Sequence, residues 1–180
     1  GEYSPIFFDP EIWKADMAEQ GTFWLSDTPK KPGSMTWGNR VTRICSWVRL
    51  IGKEGESLYV YNTHWDHQSQ PSREKAAELI LKRVSERKHS GAPVILMGDF
   101  NATTANPAIK TLIKSGALVD HGGERQKQTF NFWKPGLNEG LRIDHIFTTP
   151  LIKKAKIEVP AASDPVASDH NPVILTFDGI

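Results

Sequence analysis

Four segments of the chain place acidic, amide or imidazole side chains at the boundary of an apolar run. The polar residues in question are His64, Asp99, Asn101, Asp144, Asp169 and His170. A single Asp or His at a strand end is more often structural than functional, by about two to one. Four such segments in one chain reverse that preference, because chance rarely repeats the same arrangement four times.

These side chains suit chemistry at a phosphate ester. A phosphodiester is anionic, so an enzyme must supply a nucleophile, neutralise the oxygens that gain charge and assist the leaving group. Asp144 is set between Ile143 and Ile146 and needs a partner, and His170 fits that role as an imidazole oriented by a carboxylate. Asp99 would orient or deprotonate water. Asn101 would donate to a phosphoryl oxygen.

Two further residues complete this hypothesis. His64 would be a second donor to phosphate, and Asp169 is a hard oxygen ligand suited to Mg²⁺ or Mn²⁺. The sequence has no glycine-rich phosphate loop and neither a His-x-x-x-His nor a paired-Cys zinc spacing. The pattern therefore favours a metal-assisted site over a nucleotide-binding loop or a zinc centre.

The elements that must position these residues are mainly strands. The clearest is the aliphatic run Val94–Met97, which follows Pro93 and leads into Gly98–Asn101. Ligands gather at the carboxyl ends of such strands in layered α/β folds. Residues 41–50 and 57–63 predict a hairpin that turns at 52–56. Other strands are predicted over residues 3–8, 23–25, 118–119, 129–133, 142–148 and 173–177.

Two helices complete the predicted elements. Ala77, Ile80 and Val84 recur at helical spacing within Pro71–Lys88, and a second helix begins at Asn106-Pro107 and ends at Gly116. Residues 9–18 are expected to be a short helical or irregular stretch. Few helices and many locally paired strands indicate sheet packed on sheet with helices outside.

Composition limits the class of protein. The 180 residues suit one domain with its own core. Basic and acidic residues number 22 and 21, so no global positive field favours nucleic acid, although a local patch stays open. The longest apolar stretches are strand-sized, so no membrane span is predicted. The single cysteine, Cys45, excludes an internal disulfide and is expected to be buried and inert.

At these motifs the chain resembles the endonuclease/exonuclease/phosphatase superfamily of DNase I-like, metal-dependent phosphoesterases. The matching blocks, in order, are Asn62–His64, Gly98–Asn101, Arg142–Phe147 and Ser168–Val173. Segments 1–8, 22–26 and 63–67 look like a bacterial-type subgroup. The resemblance implies an α/β four-layer α/β/β/α sandwich as a single domain over residues 1–180. It also implies hydrolysis by in-line attack of water activated by Mg²⁺ or Mn²⁺.

The same resemblance implies a role for each residue. His170 and Asp144 would be the His-Asp pair, and Asp169 would lie beside the metal. Asp99 and Asn101 would orient water and bind phosphate, which His64 would also contact. Two weaker expectations are Arg43 as a further phosphate contact and Trp133 as a lining residue of the substrate groove. An Arg at a strand start is more often solvated, and an aromatic there is more often core.

One departure from the family pattern affects these expectations. Family members begin with a strand that carries an Asn, followed by a Glu that is the principal metal ligand, and neither has a counterpart here. We expect this chain to represent the C-terminal portion of such a domain, an N-terminally incomplete sandwich. Weak metal affinity and little or no hydrolysis would follow.

Several alternatives stay open at this point. The substrate is nucleic acid, a sphingomyelin-like lipid, or a small sugar or inositol phosphate. A different class is a non-catalytic relative that uses the fold to bind a partner. The six polar residues argue against that class, whereas missing N-terminal ligands argue for it. The chain is predicted to be a monomer, and its compartment is left open.

Overall fold

A six-stranded sheet and two helices make up most of the structure. The structure is a computed structural model that describes residues 3–122, 128–134, 140–161 and 165–179. The strands are β1 (Trp13–Trp24), β2 (Ile44–Gly52), β3 (Ser57–His64), β4 (Val94–Asp99), β5 (Val119–Asp120), β6 (Asp144–Thr148), β7 (Lys156–Glu158) and β8 (Ile174–Thr176). The helices are α1 (Gln70–Ser85) and α2 (Pro107–Lys114).

The order in the large sheet is β1-β2-β3-β4-β6-β5, and β7 pairs with β8 in a separate two-stranded sheet. Strands β1, β2 and β3 are antiparallel neighbours, whereas β3 and β4 are parallel and are connected through α1. Strand β6 returns antiparallel beside β4. The carboxyl ends of β3 and β4 therefore lie next to the start of β6 at one end of the sheet.

Both helices begin with a capping residue that is followed by proline in the first turn. Ser69 caps α1 and accepts a hydrogen bond from the Ser72 backbone N–H, and Pro71 lies in the first turn. Asn106 caps α2 in the same way, with Pro107 behind it. The predicted hairpin of β2 and β3 is confirmed, as are the two helices and the strand that ends in Asp99.

The core lies mainly between the helices and one face of the sheet. Its residues include Trp65, Ile80, Leu96, Phe100 and Leu112, all fully buried. A smaller cluster on the other face contains Val48, Leu50, Leu58 and Val60. The mixed α/β class predicted from sequence is thus confirmed, and Cys45 is buried as expected. No helix in the described ranges is both long and apolar enough to cross a bilayer.

Three predictions of secondary structure were wrong, and one strand was missed. Residues 3–8 form no strand, and the region expected to be helical or irregular belongs largely to β1. Strand β1 lies at the sheet edge, and its register shifts between Ala15 and Gln20, so the alternation expected of a strand is broken. Residues 129–133 make only isolated bridges at Phe130. The short strand β7 was not predicted.

Candidate active site

The pairing of three strands builds the candidate site. His64 at the end of β3 is the register partner of Asp99, and Asp99 is in turn the partner of Asp144 at the start of β6. Ladder hydrogen bonds continue just beyond these residues, because the Trp65 N–H donates to the Asp99 carbonyl at 2.9 Å. The carboxylates of Asp99 and Asp144 and the imidazole of His64 are therefore carried by neighbouring positions of three paired strands.

Gly98 makes this close pairing possible. Its φ is +146°, and a Cβ built there would lie 1.9 Å from the backbone oxygen of Thr63. Only glycine fits such an approach of β4 to β3. The glycine of the Gly98–Asn101 motif thus has a packing role, since it lets β4 approach β3 closely enough to place Asp99 beside His64.

His170 and Asp144 are hydrogen-bonded to each other, and their catalytic role as a pair stays a prediction. The His170 Nδ1–H donates to Asp144 Oδ2 at 2.8 Å, and this hydrogen bond raises the pKa of His170 against the opposing effect of burial. The other ring nitrogen, Nε2, lies 3.9 Å from Asp99 Oδ2. The carboxylate therefore fixes the orientation of the imidazole and leaves Nε2 facing the space near Asp99.

The surroundings of Asp99 change its acidity. Burial, followed by the nearby charge of Asp144, raises the pKa of Asp99 to about 6. The Asn101 backbone N–H donates to Asp99 Oδ1 at 2.8 Å and opposes this shift. Asp99 is thus ionised at neutral pH but basic enough to accept a proton.

His64 lies on the other side of Asp99, with its Nε2 3.3 Å from Asp99 Oδ2. Burial lowers the pKa of His64 to about 4, and the positive charge of Arg43 acts in the same direction. His64 is therefore neutral at physiological pH. A neutral imidazole can donate one hydrogen bond without adding charge.

Asn101 adopts a left-handed backbone conformation with φ of 46°. Asn tolerates this region better than most residues, since its short polar side chain bonds locally. Its Nδ2 donates to the Trp65 carbonyl at 3.0 Å, which uses one of the two amide hydrogens. The Asn101 backbone N–H contacts Asp99, and the role of the side-chain amide at phosphate stays a prediction.

Arg43, just before β2, is 3% exposed, so the solvated alternative is wrong for this residue. Its Nη2 donates to His67 Nδ1 at 3.2 Å, and its charge acts on Asp99 and His64. A buried guanidinium at the site boundary suits anion binding. His67 received no role from sequence, although it belongs to the His-rich corner that follows β3.

Trp133 is not a core residue, because 61% of its surface is exposed. Phe132 beside it is also partly exposed. Both residues have left-handed backbones, with φ of 56° at Phe132 and 61° at Trp133. The Phe130 ring connects Phe132 to the site, with its centroid 4.2 Å from that of Phe132 and 5.0 Å from that of His170. The exposed ring of Phe132 is therefore linked to His170 through Phe130, and the role of Trp133 in a substrate groove stays a prediction.

The predicted metal ligand, Asp169, is half-buried, and its carbonyl accepts from the Asn131 N–H at 2.7 Å. Among the described residues, the side chains that offer a common ligand set are those of Asp99, Asp144 and His170, whose ligand atoms lie within 4.8 Å of one another. Asp169 adjoins this trio in sequence without belonging to it. Its role as a ligand stays a prediction.

Sequence reasoning assigned no role to His145, Thr129 or Asn131. His145 is buried, and its Nε2 donates to the Ala102 carbonyl at 2.8 Å, while burial lowers the pKa to about 4. The sequence could have distinguished His145 from Asp144, because neighbouring residues of a strand such as β6 point to opposite faces of the sheet. No comparable signal marks Thr129 and Asn131, which act through contacts distant in sequence.

Known proteins share this fold. A solved mannosyl-6-phosphatase of Bacteroides thetaiotaomicron is 29% identical, with 94% of this chain and 69% of that chain covered and a TM-score of 0.79. An endonuclease/exonuclease/phosphatase of Bacteroides vulgatus is 26% identical, with 95% and 69% covered and a TM-score of 0.82. The human Nocturnin catalytic domain with bound sulfate is 17% identical, with 94% and 62% covered and a TM-score of 0.66, which is a likeness of fold alone.

A family model also matches most of the chain. Residues 10–170 match the Endonuclease/Exonuclease/phosphatase family, whereas no curated protein sequence matches the chain. The matched range includes His64, Asp99, Asn101, Asp144 and His170. The resemblance seen in the motifs is confirmed, and the chain belongs to the endonuclease/exonuclease/phosphatase family.

Proposed function

We propose that residues 1–180 are the C-terminal portion of a monomeric, metal-dependent phosphoesterase domain that hydrolyses a phosphodiester or phosphomonoester by in-line attack of water. The observation that carries this proposal is the 2.8 Å hydrogen bond from His170 to Asp144 beside Asp99. Membership of the family points to phosphate-ester hydrolysis in general. The roles of individual residues follow from the geometry.

Asp99 is proposed to hold and deprotonate the attacking water. Its Oδ1 already accepts the Asn101 N–H, so Oδ2, which faces His64 and His170, is the atom available to water. The raised pKa of Asp99, about 6, makes it a stronger base than an ordinary carboxylate. Water held on Oδ2 would meet a phosphorus atom bound between the two imidazoles.

The donors around this position would bind the phosphoryl oxygens as their charge grows. His170 contributes positive charge when it is protonated, which Asp144 favours by raising its pKa. His64 and the second amide hydrogen of Asn101 offer neutral hydrogen bonds, and Arg43 adds a permanent charge from behind His64. Preorganised donors of this kind act where the charge develops.

A divalent cation, Mg²⁺ or Mn²⁺, belongs to this proposal. The donor chemistry fits it, because the carboxylate oxygens of Asp99 and Asp144 belong to a set of ligand atoms that lie within 4.8 Å of one another. These two residues would hold the ion together with Asp169. A bound ion would polarise a phosphoryl oxygen and make water more acidic.

The substrate class is best sought among small phosphate esters. The similar Bacteroides protein is named a mannosyl-6-phosphatase, and the formal net charge of +1 provides no global field for nucleic acid. Trp133 would line the groove and contact the organic part of the ester. Sugar phosphates are therefore the first compounds to assay, before oligonucleotides and phospholipids.

The test is a phosphate-release assay of the chain on these three classes, with Mg²⁺, with Mn²⁺ and with EDTA. We expect slow, cation-dependent release that Asp99→Asn abolishes. Binding of inorganic phosphate, followed by NMR, gives a readout that does not need turnover. Broadening of nearby signals by Mn²⁺, compared between the chain and Asp169→Asn, tests the metal ligand separately.

The outcomes distinguish the hypotheses. Cation-dependent release supports the proposal, and fast release would contradict the expectation of a weak metal site. Phosphate binding without any release would favour the non-catalytic relative. Neither binding nor release on any of the three substrate classes would overturn the proposed function.

A further inference from the structure

We propose that Thr129 and Asn131 are positioning residues that set the geometry of the His170–Asp144 pair. This inference rests on the proposed function in one respect, since it assigns that pair to the chemistry. The two partners are 26 positions apart in the chain. Asp144 is the first residue of β6, and His170 lies in a loop, so neither is fixed by the middle of a long element.

Thr129 holds the Asp144 side of the pair. It is fully buried, and its Oγ1 accepts hydrogen bonds from the backbone N–H groups of Ile143 and Asp144, both at 3.0 Å. Its carbonyl accepts from the Asn171 N–H at 2.6 Å. One residue therefore connects the start of β6 with the residue that follows His170.

Asn131 holds the His170 side. It is 1% exposed, and its backbone N–H donates to the Asp169 carbonyl at 2.7 Å. Its Nδ2 donates to the Ser168 carbonyl at 3.1 Å and to Asn171 Oδ1 at 3.0 Å. Residues on both sides of His170 are therefore attached to a single buried side chain and its backbone.

Phe130, between these two residues, completes the segment. Its backbone forms isolated bridges with Leu141 and His170, and its ring packs against the His170 imidazole at a centroid distance of 5.0 Å. The segment 129–131 therefore contacts both members of the pair. A displacement of about 1 Å at a reacting group lowers the reaction rate far more than it weakens substrate binding. The contacts of this segment are therefore expected to affect kcat more than KM.

Substitutions can separate this role from plain stability. Thr129→Val keeps the shape and removes the acceptor, which leaves two buried N–H groups unpaired, whereas Thr129→Ser retains the Oγ. Asn131→Asp keeps the Oδ1 that accepts from the Trp133 N–H at 2.8 Å and removes both Nδ2 donations. Thr149→Val is the matched control, because Thr149 Oγ1 accepts from the Val94 N–H at 3.0 Å, at the other end of β4.

The experiment measures kcat and KM on the best phosphate ester of the substrate assay, with the melting temperature of each variant. We expect Thr129→Val and Asn131→Asp to lower kcat by about 100-fold, with KM changed less than about threefold. Thr129→Ser should restore most of kcat. Thr149→Val should lower the melting temperature similarly and leave kcat unchanged.

A second readout does not depend on turnover. The Nδ1 proton of His170, held between nitrogen and carboxylate, gives a downfield ¹H resonance that Thr129→Val and Asn131→Asp should shift or remove. Such a shift in a chain without hydrolysis would uphold the positioning role while the proposed function failed. The inference is overturned when folded variants lose stability, as Thr149→Val does, but keep both kcat and the resonance. Asn131→Asp carries the test alone if Thr129→Val does not fold.

Discussion

The two ends of the six-stranded sheet treat acidic side chains in opposite ways. At the end where β3 and β4 finish, Asp99 stands beside Asp144, and burial with this like charge raises the pKa of Asp99. At the other end, Asp16 pairs with Arg49 at 2.9 Å, and a hydrogen bond from the Ala18 N–H, followed by that of Arg49, lowers the pKa of Asp16. One carboxyl group resists ionisation, and the other is favoured as an anion.

The surroundings of these two acids show the same contrast. Near Asp16, the Tyr59 hydroxyl donates to Glu19 at 2.9 Å, so hydrogen-bond donors and acceptors are matched there. Near Asp99, two acids and two imidazoles lie close together, and burial with the charge of Asp144 opposes ionisation of Asp99. Natural proteins accept such local conflicts mainly at functional sites. The contrast therefore supports the proposal that the end of the sheet near Asp99 is the functional one.

The largest expected effect is on turnover. His170→Gln should lower kcat by about 10³-fold, because it removes the charge and proton-transfer capacity of the imidazole. Arg49→Gln, at the other end, should leave kcat unchanged. Both are measured by cation-dependent phosphate release. Equal losses in the two variants would break the assignment of function to one end.

A second prediction concerns stability. Asp99→Asn should raise the free energy of unfolding at pH 7.5 by about 2 kcal/mol, because the folded state no longer has to ionise a buried acid beside Asp144. Asp16→Asn should lower it, since the pair with Arg49 is lost. Urea unfolding measures both. A loss of stability in Asp99→Asn would contradict the proposed conflict.

The strands that position the candidate site were among the elements that the sequence predicted correctly. Asp99 and Asn101 follow an aliphatic run, and Asp144 lies between apolar residues. Local sequence patterns were therefore enough to predict that these residues lie at the ends of strands. His170 was predicted as the partner of Asp144, and the 2.8 Å contact agrees. Strand order and register then determined which groups met.

Features that depend on long-range contacts were not predictable. Arg43 is buried and contacts His67, and nothing in its neighbours along the chain indicates this. Thr129 and Asn131 both form hydrogen bonds with Asn171, which lies 40 or more positions further along the chain. Strand β1 escaped because an edge strand with a register shift lacks regular alternation.

The smallest expected effect is the dependence of stability on pH between 6.5 and 4. The pKa of His64 falls from 6.5 to about 4 on folding, so its contribution to stability is lost as pH falls through this window. Buried His145, also lowered to about 4, acts with the same sign. The pKa of Asp99 rises from 3.8 to about 6, so the folded state takes up its proton first and gains stability over the same range.

Because these contributions oppose each other, removing one should expose the other. His64→Gln should flatten the loss of stability between pH 6.5 and 4, and Asp99→Asn should steepen it, each by on the order of 1 kcal/mol after solvent screening. Asp16→Asn is the control from the structural end. Its pKa is lowered from 3.8, so its contribution changes only below that pH. Urea unfolding at pH 4.5 and pH 7 gives the slopes. Slopes that change together in His64→Gln and Asp99→Asn would mean that the two groups do not oppose each other, and the contrast between the ends of the sheet would lose its electrostatic basis.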